Sequence, residues 1–361
     1  MNQNTNNKYI QIDEDGYFLS QGIRYDDRGS GAHMLQNLRY DNRILFTSAP
    51  QNPDAVVVEA FSEPYVVSHV ELDTNQPNIL LLQLPYEVEF QFELNKNDPA
   101  KNLYVDEWDR FHGFVNNVPF VFSRNAQNDF FNLLDEYDDD SFQLNGHTFT
   151  TQPWRVSATE VESSAFWTQL YTDWKDDSTK PGWEMGEAAA PLRDVTAQIK
   201  LNRCRVAVLG CGSGHDAAFL AQQGHIVTAF DISSEAIARA RANYGHLANL
   251  QFVQADAFKL AETHAKQFDV VFEHTFFCAI NPSLRKQAVQ LYKRLLAEGG
   301  YLLGVFFILN PSPMPPFGLT EWELREYLKG SFSSLYWTRW KKSVPKRVGR
   351  ELVVYAQLKD S

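Results

Sequence analysis

Two hydrophobic rhythms divide the chain. In the first half, Tyr86-Glu-Val-Glu-Phe-Gln-Phe-Glu-Leu94 alternates strictly, with Tyr86, Val88, Phe90, Phe92 and Leu94 on one side and acids or Gln on the other. Period two predicts a strand with one wet face. Asn116-Asn117 separates Phe114-Val115 from Val118–Phe122, and Asn145-Gly146 separates Phe142-Gln-Leu144 from His147-Thr-Phe-Thr150. Both pairs predict tight hairpins, because Asn and Gly tolerate the left-handed region. A short helix is expected over Gln127–Tyr137, ended by the solvated acidic run Asp138-Asp139-Asp140.

From Val206 the rhythm becomes strand, helix, strand. Strands are expected at Val206–Gly210, His225–Asp231, Leu250–Asp256, Phe268–Glu273 and Tyr301–Leu309. Ser233 is placed to cap a helix over Ser234–Tyr244, stopped by Gly245. Asn281-Pro282 opens another that runs to Ala297, and Thr320–Lys329 suits a third. This alternation predicts an α/β fold, a mostly parallel sheet with helices on both faces and a ligand crevice at the strands' carboxyl ends. The expected division is a β-rich (α+β) domain over 1–155 and an α/β domain over 156–361.

Charge sharpens the division. The net charge of the 361 residues is −12, and residues 1–155 hold 24 acids against 10 bases. Such a surface repels a phosphate backbone, so no nucleic-acid partner is expected. The longest apolar run, Leu302–Leu309, is far short of the roughly 20 residues that cross a bilayer, so no membrane partner is expected either. Met1–Asn7 lacks the basic start and apolar core of a signal peptide, and the expected location is cytoplasmic. Cys204, Cys211 and Cys278 form neither a CxxC pair nor a metal-ligand spacing, so no metal is expected.

The candidate chemistry begins at Val206-Ala-Val-Leu-Gly-Cys-Gly-Ser-Gly-His-Asp-Ala217, a strand, a glycine turn and a helix start. Gly210, Gly212 and Gly214 allow a ligand close to bare backbone. The next strand ends in Asp231, placed to accept both ribose hydroxyls of an adenosine. A dinucleotide site wants G-x-G-x-x-G/A, whereas here the third glycine comes one residue early and His215 takes the last position.

The G-x-G-x-G form instead resembles motif I of class I S-adenosylmethionine-dependent methyltransferases, and Asp256-Ala257-Phe258 resembles their adenine site. Three further segments narrow the resemblance. Phe166-Trp167, Tyr171 and Trp174, with Pro181-Gly-Trp-Glu-Met-Gly186 and Ala190-Pro-Leu192, are similar to the N-terminal extension of the thiopurine, thiol and halide methyltransferase superfamily. Phe272-Glu-His-Thr-Phe-Phe-Cys-Ala-Ile-Asn-Pro-Ser-Leu-Arg285 resembles its fourth-strand motif, and Pro315-Pro-Phe317 its substrate-side loop. The resemblance covers about 160–361. The chain departs from the pattern in extra residues between Trp174 and Trp183, and in His274, where family members carry tyrosine or arginine.

The resemblance implies a Rossmann-like fold, S-adenosyl-L-methionine as cofactor, and methyl transfer to a small nucleophile: a thiol, thiopurine, halide or chalcogen oxyanion. It implies a cofactor site of Gly210, Gly212, Gly214, Asp231, Ile232, Asp256, Ala257 and His274. Trp174 and Trp183 would cover it, since a cation over an indole gains about 0.5–2 kcal/mol. His274 is the first candidate for a base. Arg285 either attracts an anionic substrate or makes an ion pair, and Phe276, Phe277, Pro316 and Phe317 form an apolar wall.

Two other readings stand beside this one: a nicotinamide oxidoreductase, and a non-enzymatic sensor acting through the acidic domain. In that domain Asp13-Glu-Asp-Gly-Tyr-Phe18, Val57–Tyr65 and Asn117–Asn125 resemble a small bacterial β-rich family of unknown function. The expected role of residues 1–155 is partner binding, self-association or substrate presentation.

Overall fold

The computed structural model describes residues 9–50, 52–98, 101–138, 140–199, 201–343 and 347–360; Met1–Asn7 and Asp139 lie outside them. The chain divides into two compact units, 1–156 with 320–323, and 157–319 with 324–361. Among the described residues, no helix is long and apolar enough to cross a membrane.

The first unit is built from small sheets of six, three, five and three strands around one aromatic-rich core. Phe111–Val115 and Val118–Phe122 pair antiparallel, with Asn116 and Asn117 at φ 51° and 64°, so the first predicted hairpin forms. Asn145 and Gly146 turn the second in the same way, between Ser141–Leu144 and His147–Thr150.

Two expectations shift here. The strand expected from Tyr86 starts at Glu89, because Tyr86 and Glu87 both take φ 61°. The Tyr86 hydroxyl accepts the Phe18 N–H at 2.9 Å and its ring lies on Gly31, which takes the side chain out of strand register. The helix runs Arg124–Leu133, with the Ser123 hydroxyl accepting from the Ala126 N–H. It stops before Tyr137, because Glu136-Tyr137 pairs with Phe142-Gln143 as a strand.

The same unit buries an ionic cluster. His112 is fully buried, with Nε2 3.0 Å from Asp106 and Nδ1 3.4 Å from Glu63, and Asp106 also accepts from Arg110 Nε at 2.8 Å. Burial lowers the imidazole pKa, but the two carboxylates outweigh it and raise it above its ordinary value.

The second unit holds a seven-stranded sheet: β1 (Arg205–Leu209), β2 (Ile226–Asp231), β3 (Leu250–Gln254), β4 (Phe268–His274), β5 (Leu296–Phe307), β6 (Phe332–Arg339) and β7 (Glu351–Leu358). Their order is β3-β2-β1-β4-β5-β7-β6, parallel from β3 to β5 and antiparallel at the last two pairings. β1 is buried on both faces. Val206 and Val208 pack into one helix layer, Ala207 and Leu209 into the other. Strand order reverses between β1 and β4, which opens a crevice at their carboxyl ends.

Local details differ from the sequence pattern. Asn281 caps a 3-10 turn over Pro282–Leu284, the α-helix spans Arg285–Leu295, and β5 already begins at Leu296. Gly245 ends its helix at φ −64°, not in the left-handed region. The pairing of β6 and β7 adds an antiparallel edge that the five-strand pattern did not contain.

Candidate active site

The crevice is floored by the glycine turn after β1. Gly210, Gly212 and Gly214 have φ of 62°, 52° and 87°, a conformation that disfavours any side chain. A Cβ on Gly210 would meet the Phe276 ring at 3.2 Å, and one on Gly212 would meet the Tyr171 hydroxyl at 2.8 Å. The turn is tied to the end of β2. The Gly212 N–H donates to Asp231 Oδ2 and the Ser233 N–H to Oδ1, each at 2.9 Å. Burial pushes the Asp231 pKa above the ordinary carboxylate value despite these bonds.

Neighbouring strand ends complete the rim. The Ala255 N–H donates to the Asp231 carbonyl, and Asp256 accepts the Phe258 N–H at 3.0 Å. Ala257 and Phe258 are partly buried, and the Phe258 ring lies 6.4 Å from that of Phe276. The Ile232 carbonyl accepts from the Ser164 hydroxyl at 2.8 Å, joining the helix Ser164–Asp173 to this rim. That helix carries Tyr171, whose hydroxyl accepts from Trp183 Nε1 at 3.2 Å.

The strap 181–186 is held at two points. Glu184 Oε1 lies 2.8 Å from His215 Nε2 and accepts the Gly186 N–H. These bonds overcome the effect of burial and bring the Glu184 pKa down to about 2. At its other end, Arg347 donates to the carbonyls of Gly182 and Trp183. His215, read from sequence only as bulk, is therefore a strap anchor, with Nδ1 also 2.7 Å from the Tyr244 hydroxyl.

His274 closes β4 beside the turn. Its Nδ1 lies 2.8 Å from Asp216 Oδ2, its Nε2 3.3 Å from Arg347, and Asp216 also accepts the Ala189 N–H. Burial pulls the His274 pKa down, Asp216 outweighs it, and the result lies above the ordinary value. Both ring nitrogens are engaged. Next to it, Glu273 is fully buried and accepts the N–H groups of Phe276 and Phe277, holding β-branched Thr275 at φ 62°. Burial lifts the Glu273 pKa to about 7. A left-handed threonine is a strained backbone of the kind that gathers at functional sites.

The structure thus brings together Gly210, Gly212, Gly214, Asp231, Ile232, Asp256, Ala257, Trp183, His274 and Phe276. It separates others from them. Arg285 is fully buried and donates to the Gly318 carbonyl at 2.8 Å, so it cannot meet a substrate in the crevice. Phe277 is 1% exposed and packs on Phe306 and Tyr327; it belongs to the core rather than a wall. Phe317 is equally buried, packed with Ala158 and Val161, and its N–H donates to the Cys278 carbonyl, leaving Pro316 as the partly buried member of that loop. Trp174 faces the Arg239 guanidinium at 4.5 Å, so a protein cation occupies it. Asp216, Arg347 and Glu351 escaped the sequence reading, since each acts through a fold contact and no spacing rule marks it.

An S-adenosyl group presents ribose hydroxyls, an exocyclic amine, a carboxylate and a sulfonium. The site fits it: the Asp231 and Asp256 carboxylates are both partly exposed at neighbouring strand ends, and the floor is glycine backbone.

The chain is 30% identical over 150 residues to a probable thiol methyltransferase 2 of Arabidopsis thaliana, covering 40% of this chain and 66% of that one. It is 29% identical over 183 residues to thiocyanate methyltransferase 1 of the same plant, covering 49% and 79%. Among solved structures, it is similar to the 1,6-didemethyltoxoflavin-N1-methyltransferase of Burkholderia thailandensis, with 21% identity, a TM-score of 0.45, and 63% and 99% of the two chains covered. The thiopurine S-methyltransferase family model matches residues 162–353, more than half of the chain and all of the crevice just described. With sheet order, glycine floor and family model in agreement, the chain belongs to the thiopurine S-methyltransferase family of S-adenosylmethionine-dependent methyltransferases.

Proposed function

We propose that residues 156–361 transfer a methyl group to a small soft nucleophile, a thiol or a thiocyanate- or halide-like anion, and that the protein does so by alignment without a general base. The observation that carries this reading is the closed arrangement of Asp231, Gly212, Tyr171 and Trp183. When bound, S-adenosylmethionine supplies a methyl group activated on a sulfonium. Asp231 would hold its ribose and Asp256 its adenine amine. Trp183 and Tyr171 exclude water, and Phe276 gives the acceptor an apolar wall.

An ordinary thiol, with pKa about 8.5, is already a few per cent thiolate at pH 7, so a base would add at most ~30-fold. Orientation contributes up to about 7–11 kcal/mol. With both nitrogens of His274 engaged, its role is to fix the end of β4. The relatives named as thiol and thiocyanate methyltransferases support the acceptor class.

The test is a panel of small thiols, iodide, thiocyanate, selenite and thiopurines with labelled cofactor on the full chain. Turnover on soft nucleophiles is expected. Binding of S-adenosylhomocysteine with no turnover on any of them would overturn the acceptor class. For residues 1–155 we propose a module for self-association or a protein partner, which concentration-dependent light scattering of the full chain checks.

A further inference from the structure

Arg347 belongs to none of the motifs that mark the cofactor site, yet it meets three separated segments of the second unit. It is 6% exposed. Its Nη2 donates to the carbonyls of Gly182 at 3.4 Å and Trp183 at 3.1 Å. Its Nη1 lies 3.1 Å from Glu351 Oε1 and 3.3 Å from His274 Nε2. In the neutral ring a guanidinium N–H facing Nε2 takes the lone pair of that nitrogen, which leaves the proton on Nδ1 to be donated to Asp216. Glu351 balances the charge, which makes the contribution of Arg347 geometric. A planar fork with several donors sets the separation of the groups it joins, which a single ammonium does not.

We propose that Arg347 is a positioning residue of the methyl-transfer site: by tying the Gly182–Trp183 main chain to His274 at the end of β4, it fixes the Trp183 indole and the Tyr171 hydroxyl against Gly212. This rests on the cofactor reading above. The strap has its other anchor at Glu184 and His215, so loss of Arg347 frees the Trp183 end and leaves the Gly186 end attached. The strap then closes less completely over a bound cofactor.

The experiment measures S-adenosylhomocysteine affinity by calorimetry on the full chain, for the wild type, Arg347→Met, Arg347→Lys, Trp183→Phe and the Arg347→Met/Trp183→Phe double variant. Arg347→Met is expected to weaken binding roughly tenfold or more, as loss of charged hydrogen bonds does. Arg347→Lys keeps the charge and does not restore affinity. The double variant binds no worse than the weaker single one, because both changes act on one strap. An NMR titration of His274 gives a second readout. The cation facing Nε2 holds its pKa down, so Arg347→Met moves it up.

Wild-type affinity in Arg347→Met, or additive losses in the double variant, overturns the proposal while leaving the cofactor reading intact. Should Arg347→Met not fold, Arg347→Lys decides alone, with full affinity as the overturning result. A wild type that does not bind S-adenosylhomocysteine removes both.

Discussion

The hydroxyl of Tyr171 lies 2.8 Å from the point where a Cβ on Gly212 would stand. A residue from the entry helix thereby closes on a turn that follows the first strand, and Gly212 is doubly constrained, by this contact and by its φ of 52°. Gly212→Ala is expected to cost roughly 1–2 kcal/mol of stability through left-handed strain, and to reduce S-adenosylhomocysteine affinity severely. Adding Tyr171→Phe removes the hydroxyl from the collision and leaves the strain. Thermal melts and calorimetry separate the two parts; an alanine variant with normal affinity would contradict the proposed cradle.

Asp231→Ala leaves the Gly212 and Ser233 N–H groups without their acceptor and removes the proposed ribose contacts. Affinity for S-adenosylhomocysteine is expected to fall by about 1.5–3 kcal/mol, the range for hydrogen bonds to a charged group. Unchanged calorimetric affinity would take Asp231 out of the site.

His274→Gln tests alignment against base catalysis. A general base typically contributes ~10²–10⁴-fold, whereas a His274 that only fixes the end of β4 predicts a loss of less than tenfold in kcat. A thousandfold loss with intact cofactor binding would refute alignment without a base and, being beyond the ~30-fold available to an ordinary thiol, the soft-thiol acceptor with it.

Glu273 gives stability a pH dependence of definite sign. Burial places its folded pKa at about 7, above the ordinary 4.5, so the folded state holds the extra proton between these values. Stability contributed by this group therefore falls as pH rises across that window, by up to about 3 kcal/mol. Glu273→Gln is expected to flatten this fall, with its melting temperature gaining on the wild type at pH 8 relative to pH 5. Parallel pH curves for the two proteins would refute the assignment.

In the first unit the sign is the same, but its cause is ion pairing against burial. The folded pKa of His112 is raised above 6.5, so its contribution is full below pH 6.5 and is lost as pH rises through the folded value. Asp106→Asn breaks the buried pair and is expected to cost about 3–5 kcal/mol in denaturant unfolding. His112→Phe is expected to remove the alkaline loss, and an unaltered pH curve in that variant would show that the imidazolium carries no such role.

Several features were legible before any coordinates. Asn116-Asn117 and Asn145-Gly146 specified their turns because positive φ is a local property of the residues. Gly210, Gly212, Gly214 and Asp231 specified a turn at positive φ tied to the neighbouring strand end, because their spacing is set within one strand–turn–helix unit and the strand beside it. The start of the strand expected from Tyr86 was misread because a distant Gly31 accepts the ring. Arg285 and Phe277 were misread because a helix start and a loop can present a side chain either to the crevice or to the core, and periodicity does not choose.

The residues by themselves thus determined the local conformations, the alternation that builds a parallel sheet, and the glycine turn that floors the crevice, all consequences of neighbours close along the chain. The tertiary structure decided which aromatic ring reaches that floor, that Arg239 takes the face of Trp174, and that Asp216 and Arg347 occupy the two nitrogens of His274. The contacts of Trp174 and His274 join residues from 58 to 73 positions apart, where packing sets the partner and no short-range pattern encodes it.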